Sequence, residues 1–148
     1  MEARRLDVLL IEDDPRDARL FREALGDLSA WCQVTVAKNG AEALDMLFRR
    51  GKFSDYRMPD LIVLDLNLPI LSGHEVLTAL KANEELSIIP VIVLTTSQQP
   101  ADIRKAYDLG AASYILKPHD LEQFIRIAQS LYEFWYKRVS FPAKKAVG

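Results

Sequence analysis

Several side chains able to hold a metal or to act as a nucleophile stand at the ends of short aliphatic runs. Glu12 and Asp13 follow the run Leu6–Ile11, Asp65 closes Leu61–Asp65, Thr95 closes Val91–Thr95, and Lys117 follows Ser113–Leu116. Taken singly, each has an ordinary explanation. Asp13 and Asp14 can cap a helix, Asp65 can serve a turn before Asn67 and Pro69, Thr95 can bond a backbone carbonyl, and Lys117 can be a solvated loop lysine. Those explanations do not predict that all these strand ends should be polar together. Carboxylates brought close repel one another, and one ammonium cannot neutralise three of them. A hard divalent cation with oxygen ligands is the natural complement, and Mg²⁺ suits a small carboxylate set completed by water. Beside a cation, Asp65 would be ionised and nucleophilic at neutral pH, able to take a phosphoryl group as an acyl phosphate. The cation, lysine and hydroxyl would then stabilise the phosphoryl oxygens.

Such a cluster needs a scaffold that gathers strand ends. The strand-length runs Leu6–Ile11, Cys32–Ala37, Leu61–Asp65, Val91–Thr95 and Ser113–Leu116 alternate with segments of helical periodicity. The first, third and fourth are almost continuously aliphatic, as parallel strands buried on both faces are. Asp14-Pro15 opens the first helix, in which Ala18, Phe21, Leu25 and Leu28 recur at helical spacing. Asn39 caps a second that ends at Gly51. A third spans about 73–83, a fourth starts near Pro100 and ends at Gly110, and the fifth runs from about Asp120 to Arg138. Right-handed β-α units of this number are too few for a closed barrel. The expected class is α/β: a doubly wound five-stranded parallel sheet in the order 2-1-3-4-5. In that fold, ligands bind beyond the carboxyl ends of the strands, where the polar residues fall. The segment Lys52–Pro59 reads as merely a long surface loop.

The motifs Leu10-Ile-Glu-Asp-Asp-Pro15, Asp60-Leu-Ile-Val-Leu-Asp-Leu-Asn-Leu-Pro69, Gly73, Val91-Ile-Val-Leu-Thr-Thr96 and Tyr114-Ile-Leu-Lys-Pro118 resemble those of response-regulator receiver domains, over about residues 6–132. The resemblance implies the flavodoxin-like receiver fold and a two-component phosphorelay, with a sensor histidine kinase as phosphodonor. It implies Asp65 as phosphoacceptor and metal ligand, Asp13 as a direct Mg²⁺ ligand, Glu12 acting through water, and Asn67 lending its backbone carbonyl. Lys117, Thr95 and the backbone N–H of Thr96 would bind the phosphoryl oxygens. Thr95 and Tyr114 would form the switch pair that reshapes the face of fourth helix, fifth strand and fifth helix, and the Lys117–Pro118 peptide would be cis. The long 52–59 loop and the aromatic end of the fifth helix are similar to the stand-alone regulators of bacterial phytochrome histidine kinases. In that subgroup the same face forms a homodimer.

Along the fifth helix, Leu121, Phe124, Ala128, Leu131 and Trp135 recur as one core-facing stripe. Ile125, Ile127, Phe134 and Tyr136 fall outside it, an apolar surplus suited to self-association; Ile127, Phe134 and Tyr136 are the expected dimer contacts. The chain has 148 residues, 49% of them hydrophobic and 27% charged, with a net charge of −2. That is one domain's worth of an ordinary globule without the basic face that nucleic acid requires. The expected organisation is a receiver domain over 1–138 and a short tail over 139–148. Ten residues after Arg138 are too few for a DNA-binding output domain. Val8-Leu9-Leu10-Ile11 stops at three acids, so no signal peptide or membrane span is expected, and the expected compartment is the cytoplasm. Cys32, the lone cysteine, reads as a small buried hydrophobe, His74 and His119 as solvated positions, and Lys137-Arg138 and Lys144-Lys145 as solvated charge. The rival reading is an enzyme, an aspartyl-phosphate phosphohydrolase of the haloacid-dehalogenase type. It needs a general acid two residues after its nucleophile, where this chain has Asn67. A nucleotide-binding module is weaker, for neither GxGxxG nor GxxxxGK is present.

Overall fold

Strands and helices alternate from Leu6 onward because each aliphatic run can be buried only by helices laid on both sides of a sheet. The structure, a computed structural model, describes residues 5–26 and 30–143. The elements are β1 (Leu6–Ile11), α1 (Pro15–Leu25), β2 (Cys32–Ala37), α2 (Gly40–Leu47), β3 (Leu61–Leu64), α3 (Gly73–Ala82), β4 (Val91–Thr95), α4 (Pro100–Asp108), β5 (Ser113–Leu116) and α5 (Leu121–Leu131). All strand pairs are parallel, in the order β2-β1-β3-β4-β5, as expected. Period-two alternation divides the core. Leu9, Ile11, Ile62, Leu64, Val91 and Val93 meet α2, α3 and α4 on one face. Val8, Leu10, Leu61, Val63, Ile92 and Leu94 meet α1 and α5 on the other.

The helix starts follow local chemistry. Asp14 Oδ1 accepts the Arg16 N–H at 2.8 Å, with Pro15 in the first turn. Asn39 and Asp120 likewise accept from Glu42 and Gln123, and Ser72 and Glu75 form a reciprocal capping box at α3. Gly73 is required by space: a Cβ there would lie 2.5 Å from both the Asp65 carbonyl oxygen and Leu66 Cα.

Several expectations are corrected. Helix α1 ends at Leu25, where Gly26 turns back at φ 48°; Leu28 lies outside the described residues, as do Lys144 and Lys145. Helix α5 does not run uniformly to Arg138 but passes at Tyr132–Tyr136 into a π-helical turn. Its aromatic residues prefer a tertiary cluster to regular spacing: Tyr132 stacks on Tyr136 at 5.5 Å, and Trp31 meets both edge-on. The Trp31 indole N–H is buried there and has no hydrogen-bond partner among the described residues. Phe124, Ala128 and Leu131 are buried as the stripe predicted, but Leu121, the first residue of α5, is 37% exposed, and Trp135 is only half-buried. Residues 52–59 are not merely a surface loop: Phe53, Tyr56 and Met58 pack against the first core, and Arg49 Nε donates to the Tyr56 carbonyl at 2.9 Å. Cys32 is buried as expected, and burial, opposed by Arg5, pushes its thiol up to about 11. Among the described residues, no helix is long and apolar enough to cross a membrane.

Candidate functional site

The sheet ladders deliver the polar residues to one edge. The Glu12 N–H donates to the Ala37 carbonyl at 3.0 Å and the Asp65 N–H to the Ile11 carbonyl at 3.1 Å, each continuing its strand by one residue. The Lys117 N–H donates to the Thr95 carbonyl at 2.8 Å, which sets β5's lysine beside β4's threonine. Register therefore brings Glu12, Asp65, Thr95 and Lys117 together, all of them buried, while Asp13 faces solvent. Because Asp14 caps α1, Asp13 is free of that task.

The ammonium of Lys117 is the cationic centre. Its Nζ donates to Glu12 Oε1 at 2.7 Å, Asp17 Oδ2 at 2.9 Å and Asp65 Oδ2 at 3.0 Å. Burial alone would make Lys117 easier to deprotonate. The hydrogen bonds it donates to Glu12 and Asp17 and the charges of Asp65 and Glu12 outweigh burial and hold its pKa above the usual lysine range. Burial pushes the Glu12 carboxyl up to about 7, and neighbouring Asp65 adds to that, while Lys117 and the Asp14 N–H pull it back.

Glu12, Asp13 and Asp65 each present a carboxylate oxygen within 4.8 Å of the others. An all-oxygen set of that size, carrying more negative charge than Lys117 can offset, fits a hard divalent cation. Asn67 ties the loop after β3 to the end of β4: its N–H donates to Asp65 Oδ1 at 3.1 Å, and its Nδ2 donates to Thr95 Oγ1 at 3.4 Å and Thr96 Oγ1 at 3.3 Å. Tyr114 is half-buried and its hydroxyl donates to the Ser97 carbonyl at 2.9 Å. Burial, opposed by its Ser97 bond, raises its pKa. The Lys117–Pro118 peptide is trans, since no cis bond occurs among the described residues, contrary to what the resemblance implied. The two isomers of an X–Pro bond differ by only about 0.5–1 kcal/mol, so sequence alone leaves either within reach. His119 is exposed as expected, whereas His74 Nε2 lies 3.3 Å from the Asp102 carbonyl.

Two features of this edge were not foreseen. Asp17 is drawn to Lys117 because it occupies the third position of α1, and helix side chains lean toward the N-terminus; an acid in the first turn of a helix is favourable anywhere, so the sequence carried no signal that singled it out. Ile70 lies on the loop that follows Asp65, which the Gly73 N–H closes onto the Leu66 carbonyl at 3.0 Å. It is 96% exposed and has φ 66°, with the Leu71 N–H bonded across it to the Pro69 carbonyl. That is a γ-turn of the rarer, strained hand.

Away from the edge, Phe134 stands 55% exposed, with Tyr107 and Leu116 also exposed on the α4–β5–α5 side. Ile127 and Tyr136 are partly buried against their own core, so of the three expected dimer contacts Phe134 is the one that projects.

Comparison with known proteins agrees with this geometry. Residues 8–129 match the response regulator receiver domain family. Response regulator Rcp1 of Synechocystis is 36% identical over 136 residues, covering 92% of each chain. The crystal structure of the phosphorylated cyanobacterial phytochrome response regulator RcpA has a TM-score of 0.89 at 38% identity, covering 95% of this chain and all of the other, 100%. The Mn²⁺-bound form of Rcp1 has a TM-score of 0.86 at 36% identity, covering 93% of this chain and 99% of its own.

Proposed function

The chain belongs to the response regulator receiver domain family, and from that premise we propose that Asp65 accepts a phosphoryl group from a sensor histidine kinase. The observation that carries this reading is Asp65 itself: buried at the strand-end edge, bonded to Lys117 at 3.0 Å and grouped with Glu12 and Asp13. An Asp65 oxygen forms a P–O bond as the donor's P–N bond breaks, and the leaving imidazole keeps that electron pair. Lys117, the Thr95 hydroxyl and the Thr96 N–H receive the phosphoryl oxygens. Asp13 and Asp65, with the Asn67 carbonyl and with Glu12 through water, would hold Mg²⁺, which supplies charge neutralisation when bound.

The phosphoryl oxygens would compete with Asn67 for Thr95, and the Tyr114–Ser97 bond is the contact whose loss would release the ring. Thr95 and Tyr114 are thereby the proposed switch of the α4–β5–α5 face. The name of RcpA supports a phytochrome-type kinase as donor. Exposed Phe134, Tyr107 and Leu116 support that face as a homodimer contact. The chain would be a signalling domain over residues 1–138 that carries its phosphoryl group rather than turning over a substrate. It would act in the cytoplasm, without nucleic acid or a membrane. The phosphohydrolase alternative is set aside, because the family match spans the whole site and Asn67 holds the position its general acid would need.

Incubation with acetyl phosphate and Mg²⁺ should add one phosphoryl group by mass, and Asp65→Asn should abolish it. Full labelling of Asp65→Asn would refute the assignment.

A further inference from the structure

Lys117 has three N–H donors, and three carboxylates occupy them: Glu12, Asp17 and Asp65. Only two of these, Glu12 and Asp65, belong to the group that can hold a cation. Asp17 stands apart on α1, its side chain 23% exposed beside a Lys117 side chain that is 6% exposed. Its place is firm, since α1 is pinned at its start by the Asp14 cap and Pro15.

We propose that Asp17 is a positioning residue for phosphoryl transfer, holding the Lys117 ammonium where an incoming phosphoryl oxygen can take its freed N–H. The inference rests on Asp65 being the phosphoacceptor. When an Asp65 oxygen bonds to phosphorus and the donor's own P–O or P–N bond breaks, the carboxylate loses its charge. Its hold on Lys117 weakens, and that N–H passes to a phosphoryl oxygen. Glu12 is shared with the cation group, so it is a divided partner. Asp17 is the one carboxylate on Lys117 whose charge and surroundings the transfer leaves unaltered. A lysine ammonium sits on a flexible four-carbon stem, and a partner on a rigid helix start is what keeps it aimed.

The alternative is that Asp17 serves only the positive end of α1. A double-mutant cycle on the whole chain separates the two. The second-order rate constant for phosphorylation by acetyl phosphate at saturating Mg²⁺ is measured for wild type, Asp17→Asn, Asp17→Glu, Lys117→Ala and Asp17→Asn/Lys117→Ala. Misplacing a stabilising group costs on the order of tenfold or more, so Asp17→Asn should fall about tenfold while Asp17→Glu, which keeps the charge, stays within about threefold. In the Lys117→Ala background, Asp17→Asn should change nothing further, and Mg²⁺ affinity by calorimetry should match wild type. An unchanged rate in Asp17→Asn would overturn the proposal. So would an equal loss in Asp17→Glu, an equal loss without Lys117, or a matching loss of Mg²⁺ affinity. A wild type that is not phosphorylated would instead overturn the assignment of Asp65.

Discussion

Replacing Lys117 with methionine should show how much of this edge is held by one ammonium. The Lys117 side chain is 6% exposed and bonds carboxylates at 2.7, 2.9 and 3.0 Å. Methionine keeps much of the stem's volume and removes the charge, leaving Glu12 and Asp65 buried beside each other. Removing one partner from a buried ion pair costs about 3–5 kcal/mol, and that loss is expected at pH 7.5 without divalent metal. The pH dependence has a definite sign. Native Glu12 is pushed up to about 7 from an ordinary 4.5, so between those values the native state binds more protons than the unfolded one. Its contribution to stability is complete below about 4.5 and is lost as pH rises through about 7. Lys117, raised above its ordinary range, contributes throughout that window, and the substitution removes that contribution. Without Lys117 the influences left on Glu12 are burial and Asp65, both raising it, and the Asp14 N–H, so its window extends upward. The deficit of Lys117→Met should therefore shrink to under about half at pH 5, where buried Glu12 can protonate. A divalent cation that binds only the native state at a hundred times its Kd adds about 2.7 kcal/mol; in this variant the gain at a given Mg²⁺ concentration should exceed that of wild type. Urea denaturation across pH, with and without Mg²⁺, reads all of this. A loss below about 1 kcal/mol at pH 7.5, or one that does not diminish on acidification, would refute the reasoning.

Ile70 should respond in the opposite direction. As the central residue of that γ-turn, at φ 66°, an L-residue is strained by about 1–3 kcal/mol, glycine takes positive φ without a Cβ clash, and at 96% exposure the side chain buries nothing. After the roughly 0.5–1 kcal/mol that glycine's extra freedom in the unfolded chain costs, Ile70→Gly should raise the urea-denaturation free energy by about 1 kcal/mol, and no gain would mean that the turn is not strained. Gly73→Ala places a Cβ 2.5 Å from backbone atoms of Asp65 and Leu66. It should cost about 1–3 kcal/mol as overpacking does and slow acetyl phosphate labelling by displacing the Asp65 loop; wild-type stability and rate would contradict the contact. Phe134→Asp should shift sedimentation toward monomer while leaving Asp65 phosphorylation intact, since aromatic anchors carry about 2 kcal/mol or more. A wild type that is monomeric at high concentration with and without phosphorylation, or a variant that stays dimeric, would count against that face.

The legibility of this chain followed physical contrast. Glu12, Asp65, Thr95 and Lys117 could be read in the sequence because each interrupts an aliphatic run, and a polar residue at the end of a buried strand has few uses except at an edge. The strand order followed from the same runs, since β1, β3 and β4 had to be buried on both faces. Where contrast failed, so did the reading. The turn of α5 into a π-helix depends on Trp31, about a hundred residues earlier in the chain, offering its edge to Tyr132 and Tyr136, and no local periodicity carries that. Phe53, Tyr56 and Met58 are spaced too irregularly to announce that they pack on the core. Asp17 was hidden for a sharper reason. An acid in the first turn of a helix is favourable anywhere in solvent, so its presence discriminates nothing until the angle at which α1 leaves β1 is known. That angle turns it toward Lys117. Residues that do chemistry declare themselves by being polar where polarity costs. A residue that holds them in place can lie where polarity is free, and only the fold separates it from an ordinary surface charge.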